Sequence, residues 1–387
     1  MSFFVYPIKS FTFASMKFLF VVQGEGRGHL TQSIALREML VQNGHEVVAV
    51  MVGKSNRREL PEFFSKNIRV PIYRFDSPNF LPAAKHRKMN LWISVAYNLA
   101  KTPHYLRSIY YLRRTIRQLD ADVVVNFYEM LLGLTYVLFP PKIPYISVAH
   151  QYLFLHPDYC FPPENRAELK MLKFFTRVTC IRSSKLLALS IEQKEHFPEQ
   201  NIVIVPPLLR SEIFKVEPQK GNYLHGYLLN DNYAEEIIEF QKKHPEVFLH
   251  FFWDKKDALE ETVINEHLTF HKLNDQLFIQ YMEGCAAYAT TAGFESVCEA
   301  MYMGKPVLMV PTHIEQCCNA HEAALAGAGI VSTDFDLDAL IAFIPQYNEN
   351  TRFREWAQQS ESYWMKEFAF EKEELLEQRL SYKFIFG

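Results

Sequence analysis

Residues 18–53, FLFVVQGEGRGHLTQSIALREMLVQNGHEVVAVMVG, limit the fold more than any other part of the chain. An apolar run ends at three alternate glycines, Gly24, Gly26 and Gly28. A segment with helical spacing follows and stops at Gly44, and a second apolar run begins just after it. Short continuous apolar runs mark strands that are buried on both faces. Strand, turn, helix and strand in that order make a crossover unit whose two strands are parallel. The spacing therefore predicts an α/β protein on a doubly wound sheet. The glycines mark a place where the chain turns sharply or lets something come very close.

The pattern repeats. ADVVVNF (121–127), PYISVAHQ (144–151), LLALSI (186–191) and NIVIVPPLL (201–209) read as further strands of the same half. VPPLLRSEIFKVEPQKGN (205–222) is rich in Pro and charge and reads as a linker. A second α/β series follows, with YLHGYLL, VFLHFFW, AAYATT and PVLMVP as strands and GFESVCEAMYMG and QCCNAHEAALAGAG as helices. The expected division is a leader over 1–15, with Met16 as the dominant start, a first domain over 16–207 and a linker over 208–221. A second domain over 222–350 and a helical segment over 351–387, which packs back on the first domain, complete it. Two such domains facing each other would put both ligand-binding sheet edges on one cleft.

Composition excludes several classes. The net charge of −3 gives no global reason to expect nucleic acid. The six cysteines form no C-x-x-C pair and no zinc spacing, which fits a reduced, cytoplasmic setting. No apolar run is long enough to span a bilayer. The start, MSFFVYPIKSFTFAS, lacks the positive region and clean apolar core of a signal peptide.

The most informative stretch is TTAGFESVCEAMYMGKPVLMVPTHIEQCCNA, residues 290–320. Gly293 sits between a strand and a helix, and a helix N-terminus offers free N–H groups that suit a phosphate. Glu299 lies one turn beyond Ser296 on the same helix face, where a carboxylate can accept both hydroxyls of a ribose. The order Gly293, Ser296, Glu299, Gly304-Lys305-Pro306-Val307-Leu308, Pro311, Glu315-Gln316, Asn319-Ala320 resembles the donor signature of GT-B glycosyltransferases. The likeness is to the group that uses UDP-sugars and to the bacterial transferase that makes the lipid-linked peptidoglycan precursor. GEGRGHLTQSIAL, with Gly24, Gly26, Arg27 and Gly28, resembles the amino-terminal G-x-G-H turn of the same family.

The resemblance implies a GT-B fold and an inverting transfer from a nucleotide sugar, UDP-linked, to an acceptor hydroxyl. The acceptor stays open: a lipid-linked or cell-surface glycan precursor, as in cell envelope biosynthesis, or a small metabolite. It implies no cofactor and no metal for the chemistry. Thr291, Gly293, Glu295 and Ser296 would lie near the diphosphate, Glu299 at the ribose, and Glu315 and Gln316 at the donor sugar. The loop from His271 to Asn274 would pass the base. The diphosphate or the acceptor would come close to the Gly24–Gly28 turn, and His29 would be the general base. The sequence departs from the family in three ways. Thr291 stands in the region of the plant-type histidine, Asn126 stands where the family has the Asp that orients the base, and the glycine turn carries Glu25 and Arg27.

Each residue also has a plainer reading. His29 can cap or pack at a helix start, although histidine titrates near neutral pH and suits proton transfer. Glu129, the second choice for partner or base, can simply sit at a helix N-terminus, where the dipole favours it. His150 and His313 follow strands and can line the cleft or pack. The D-x-D string at Asp336 and Asp338 reads as a cap and first-turn residue, not as a metal site. Residues 83–119 hold eight Lys and Arg and no acid, with aromatics between them. They read either as amphipathic helices or as a contact with an anionic membrane at its inner face. Two further functional readings stand beside transfer: a UDP-sugar 2-epimerase of the same fold, and a nucleotide-sugar-binding protein without catalysis.

Overall fold

The computed structural model describes residues 15–54, 60–78, 98, 101–163, 166–229, 233–253, 255, 258–370, 374 and 377–378. Thus residues 1–14 of the expected leader and residues 83–97 and 99–100 of the basic aromatic stretch lie outside the described residues.

The first half alternates strands and helices. In order these are β1 (Lys17–Gln23), α1 (Arg27–Gln42), β2 (Glu46–Lys54), α2 (Glu62–Ile68), β3 (Ile72–Asp76) and α3 (Thr102–Gln118). Then come β4 (Val123–Phe127), α4 (Met130–Leu138), β5 (Tyr145–Ala149), α5 (Arg166–Thr179), β6 (Lys185–Leu189) and β7 (Ile202–Val205). The strands form one sheet in the order β3-β2-β1-β4-β5-β6-β7, and every pairing is parallel. Phe18 to Val22 of β1 are fully buried because helices cover both faces of a central parallel strand. Burying each such side chain contributes roughly 1.5–3 kcal/mol. α1 ends where Gly44 takes φ +83°, a left-handed conformation that side chains disfavour.

The second half holds β8 (Tyr223–Leu228), α6 (Ala234–Lys243), β9 (Phe248–Trp253), β10 (Glu261–Asn265), β11 (Leu268–Lys272), α7 (Asp275–Gly284) and β12 (Ala287–Thr290). It continues with α8 (Phe294–Tyr302), β13 (Val307–Met309), α9 (Ile314–Leu325), β14 (Gly329–Val331) and α10 (Leu337–Phe343). The strand order is β10-β11-β9-β8-β12-β13-β14, parallel except for the antiparallel edge hairpin β10–β11. Both sheets reverse their winding at the centre, between β1 and β4 and between β8 and β12. Ligands bind beyond the carboxyl ends of strands at such reversals.

Two further helices, α11 (Thr351–Gln358) and α12 (Ser360–Phe368), cross back to the first sheet. Trp356 donates its indole N–H to Ser190 O at 2.9 Å, Trp364 to Pro206 O at 3.2 Å, and Phe368 packs edge-on against Phe18. Lys305, from the G-x-P run, is buried and donates to the carbonyls of Gln219, Glu283 and Cys285. It thereby ties the connecting chain to the end of α7, and burial pulls its pKa below the usual lysine value.

The described part of the basic aromatic stretch is α3. Tyr105, Ile109, Leu112 and Ile116 face the core, while Leu106 and Tyr110 stay exposed near Arg113, Arg114 and Arg117. Among the described residues no helix is long and apolar enough to cross a membrane.

Candidate active site

A cavity of 1680 Å³ lies between the two halves, lined by both glycine turns. From the first half it takes Gly26, Arg27, Gly28, His29 and Gln32; from the second it takes Thr291, Gly293, Glu295, Ser296, Glu299, Glu315 and Gln316.

On the first side the glycines have separate reasons. Gly24 donates to Gly53 O at 2.7 Å, and a Cβ there would meet the Val52 side chain. Gly26 is the N-cap of α1 in extended conformation. A Cβ at Gly28 would collide with the carboxylate of Glu295 from the opposite half. So the protein group that comes close to Gly28 is a carboxylate from the opposite half, while Gly26 and Gly28 also line the cavity. The site suits an anion, because the positive end of the α1 dipole faces it. Arg27 also crosses the cleft, with its Nη2 3.0 Å from Asp275 Oδ1.

His29 stands on the first turn of α1 with its ring stacked on Tyr128, centroids 5.4 Å apart. Its Nδ1 is 3.2 Å from Gln32 Oε1, one helical turn along. Gln32 in turn donates its amide Nε2 to Glu295 Oε1. Tyr128, just past β4, has φ +60°, and Ala292, just past β12, has φ +59°. Such conformations cost energy in non-glycine residues and gather at functional turns.

Neither expected partner of His29 reaches it. Asn126 is fully buried; its Nδ2 donates to Thr179 O and its Oδ1 accepts from Glu129 N. Glu129 is fully buried as the N-cap of α4, accepting from Leu131 N at 2.9 Å and from Ser77 Oγ at 2.7 Å. The capping role prevails over the role of base. Burial pushes the Glu129 carboxyl up to about 7.

On the second side Gly293 is the N-cap of α8, and Ser296 turns its hydroxyl back to Gly293 O at 3.2 Å. Glu299 is held by a guanidinium: Arg210 Nε and Nη2 donate to its two oxygens at 2.6 and 2.5 Å. Burial works against the Arg210 charge, but Glu299 outweighs it and raises the pKa. Glu315 accepts from Gln151 of the first half at 2.8 Å. Gln316 accepts from the Thr312 amide and hydroxyl, and Asn319 donates to Ala292 O.

The structure corrects the placement of His271. It lies in β11, not in a cleft loop, paired in parallel with β9 and buried against His250, with His250 Nδ1 3.1 Å from His271 Nε2. Burial holds its pKa down at about 4. Leu273 and Asp275 line the cavity in its place. His150 stacks on Phe294 at 3.8 Å, with its Nε2 3.2 Å from Glu322 Oε2 across the halves. Burial disfavours its charge, but Glu322 outweighs this and raises the pKa. His313 lines the cavity as the N-cap residue of α9. Asp336 caps α10 through Ala339 N, so the D-x-D string is a helix start.

Tyr128, Gln32, Arg210 and Asp275 are the site residues that the sequence reading missed. Gln32 alone carried a local signal, three residues from His29 on a helix. The first-half wall is also strongly apolar, with Leu134, Met171 and Leu172 inside and Leu106, Leu138 and Phe174 exposed at the mouth.

The model of the family described as glycosyl transferase family 1 matches residues 16–347. The fold is also shared with solved glycosyltransferases. The glycotransferase of kitacinnamycin is 15% identical, with TM-score 0.62 over 90% of this chain and 96% of that one. The calicheamicin glycosyltransferase CalG4 is 14% identical, with TM-score 0.61 over 92% and 98%. UGT89C1 of Arabidopsis thaliana, complexed with UDP, is 15% identical, with TM-score 0.60 over 92% and 100%. The comparison with curated proteins found no match.

Proposed function

This chain belongs to glycosyl transferase family 1, and on that premise we propose that it transfers a sugar from a UDP-sugar to an acceptor hydroxyl with inversion. The observation that carries this reading is the single cavity lined by the first turns of both α1 and α8, with His29 on one wall and Glu299 on the other. Family membership places transfer ahead of the epimerase and the binding-only alternatives.

The donor lies on the second half. The α8 N-terminus and the Thr291 hydroxyl take the diphosphate, and Glu299 takes the ribose. Arg210 gives up part of its hold on Glu299 when the ribose enters, and with Arg27 it supplies positive charge near the diphosphate. These groups stabilise the leaving group where a metal would otherwise serve. The acceptor oxygen attacks the anomeric carbon from the face opposite the diphosphate. Its bond to that carbon forms as the carbon–diphosphate bond breaks, and its proton passes to His29 Nε2. Closure of the two halves keeps water from the donor.

The apolar wall favours an acceptor with a greasy body, such as a lipid-linked glycan precursor. Leu106, Tyr110, Leu138 and Phe139 are exposed beside Arg113 and Arg114, which suits an anionic membrane surface. A panel of UDP-α-hexoses with alkyl-linked and phenolic glycosides as acceptors tests the reading. We expect UDP release with a β-linked product, and faster transfer to alkyl-linked acceptors. An α-linked product would overturn the inverting mechanism.

A further inference from the structure

We infer that the carboxylate that steadies the base comes from the opposite half of the molecule: Glu295 holds Gln32, and Gln32 holds His29. The inference rests on reading His29 as the base and adds the positioning residues that Asn126 does not supply.

Burial raises the Glu295 pKa, while the facing His29 and the Gln32 amide lower it. With Glu295 ionised the hydrogen bonds run one way: the carboxylate only accepts, so Gln32 turns its Nε2 to Glu295 and its Oε1 to His29. A carbonyl oxygen also only accepts, so His29 must keep its proton on Nδ1. That leaves a bare Nε2 lone pair in the neutral ring. The stacked Tyr128 ring sets the plane of the imidazole. When Nε2 takes the acceptor proton, the Nδ1–H bond persists and no proton crosses the amide. A neutral amide can do this because it accepts at one end and donates at the other.

The relay spans the cleft. Gln32 is on α1 and Glu295 is in the first turn of α8, 263 residues apart. Gly28 leaves room for the carboxylate to seat against α1. The Arg27–Asp275 pair closes the same edge. The base is therefore oriented only while the halves are together, and Glu295 sits on the same helical turn that takes the diphosphate. Donor seating and base orientation share one helix.

The test reads the His29 tautomer by ¹⁵N NMR at a pH where the ring is neutral. The wild type, Gln32→Leu, Glu295→Leu and the reciprocal Gln32→Glu/Glu295→Gln variant are compared. We expect the Nδ1–H form in the wild type and in the reciprocal variant, where a carboxylate meets Nδ1 directly. In both leucine variants the proton moves to Nε2. In Gln32→Leu we expect kcat to fall by about 10²-fold, the lower end of what a positioned general base contributes, with the UDP Kd unchanged. An Nδ1–H tautomer retained in Glu295→Leu would overturn the inference. The NMR readout needs no turnover, so it separates two failures. A normal relay with an active His29→Ala variant would sink the base assignment, while an inactive His29→Ala with an unmoved tautomer would sink only the relay.

Discussion

With His29 as the general base, His29→Ala is expected to lower kcat for sugar transfer by about 10²–10⁴-fold, while UDP affinity changes little. The asymmetry follows from position. His29 sits on α1, across the cavity from Thr291, Gly293 and Glu299, so its loss removes a proton acceptor and no nucleotide contact. The stability cost is modest: the ring loses its stacking contact with Tyr128, about 0.5–1.5 kcal/mol, and its hydrogen bond to Gln32, about 0.5–1.5 kcal/mol. Steady-state kinetics with a matched thermal unfolding curve checks all three. Unchanged kcat would place the base elsewhere, and a matching loss of UDP affinity would make His29 a binding group.

The second large effect is at Glu299. Its bidentate pair with Arg210 is nearly closed to solvent, the two side chains being 3% and 16% exposed. Removing Glu299 leaves Arg210 only its looser pair with Asp275 at 3.8 Å, so Glu299→Ala is expected to lose at most about 3–5 kcal/mol. It should also lose nucleotide binding, since hydrogen bonds from ribose hydroxyls to a charged acceptor contribute about 1.5–3 kcal/mol. The two losses separate in Arg210→Leu/Glu299→Leu. Replacing both charges by apolar groups recovers most of the stability, and it does not restore binding. Denaturant unfolding and calorimetry on the same preparations read both. Binding retained in the double variant would mean that Glu299 is a structural partner of Arg210 and nothing more.

Local pattern made the two glycine turns legible. Strand, turn and helix are contiguous there, so Gly26, His29, Gly293, Ser296 and Glu299 could be placed from spacing alone. What the sequence hid is set by contacts far along the chain. Gly28 reads as a phosphate-type glycine, yet its neighbour is a carboxylate from the other half. Asn126 and Glu129 end a strand, as a catalytic pair would, but the start of α4 and the end of α5 claim their hydrogen bonds. His271 reads as a loop residue because parallel pairing of β11 with β9 leaves no local trace. Arg210 sits in a stretch with the composition of a linker, and only the packed structure shows it gripping Glu299.

Whether the cavity between the halves is a nucleotide-sugar site is decided by calorimetric titration of UDP, GDP, dTDP and CDP into the wild type and Glu299→Gln. We expect UDP to bind the wild type most tightly of the four and to bind Glu299→Gln at least about ten-fold more weakly, a difference of about 1.4 kcal/mol. If no nucleotide binds the wild type at millimolar concentration, or if UDP binds both proteins equally, the assignment of the cavity to a nucleotide-sugar donor held by Glu299 is contradicted.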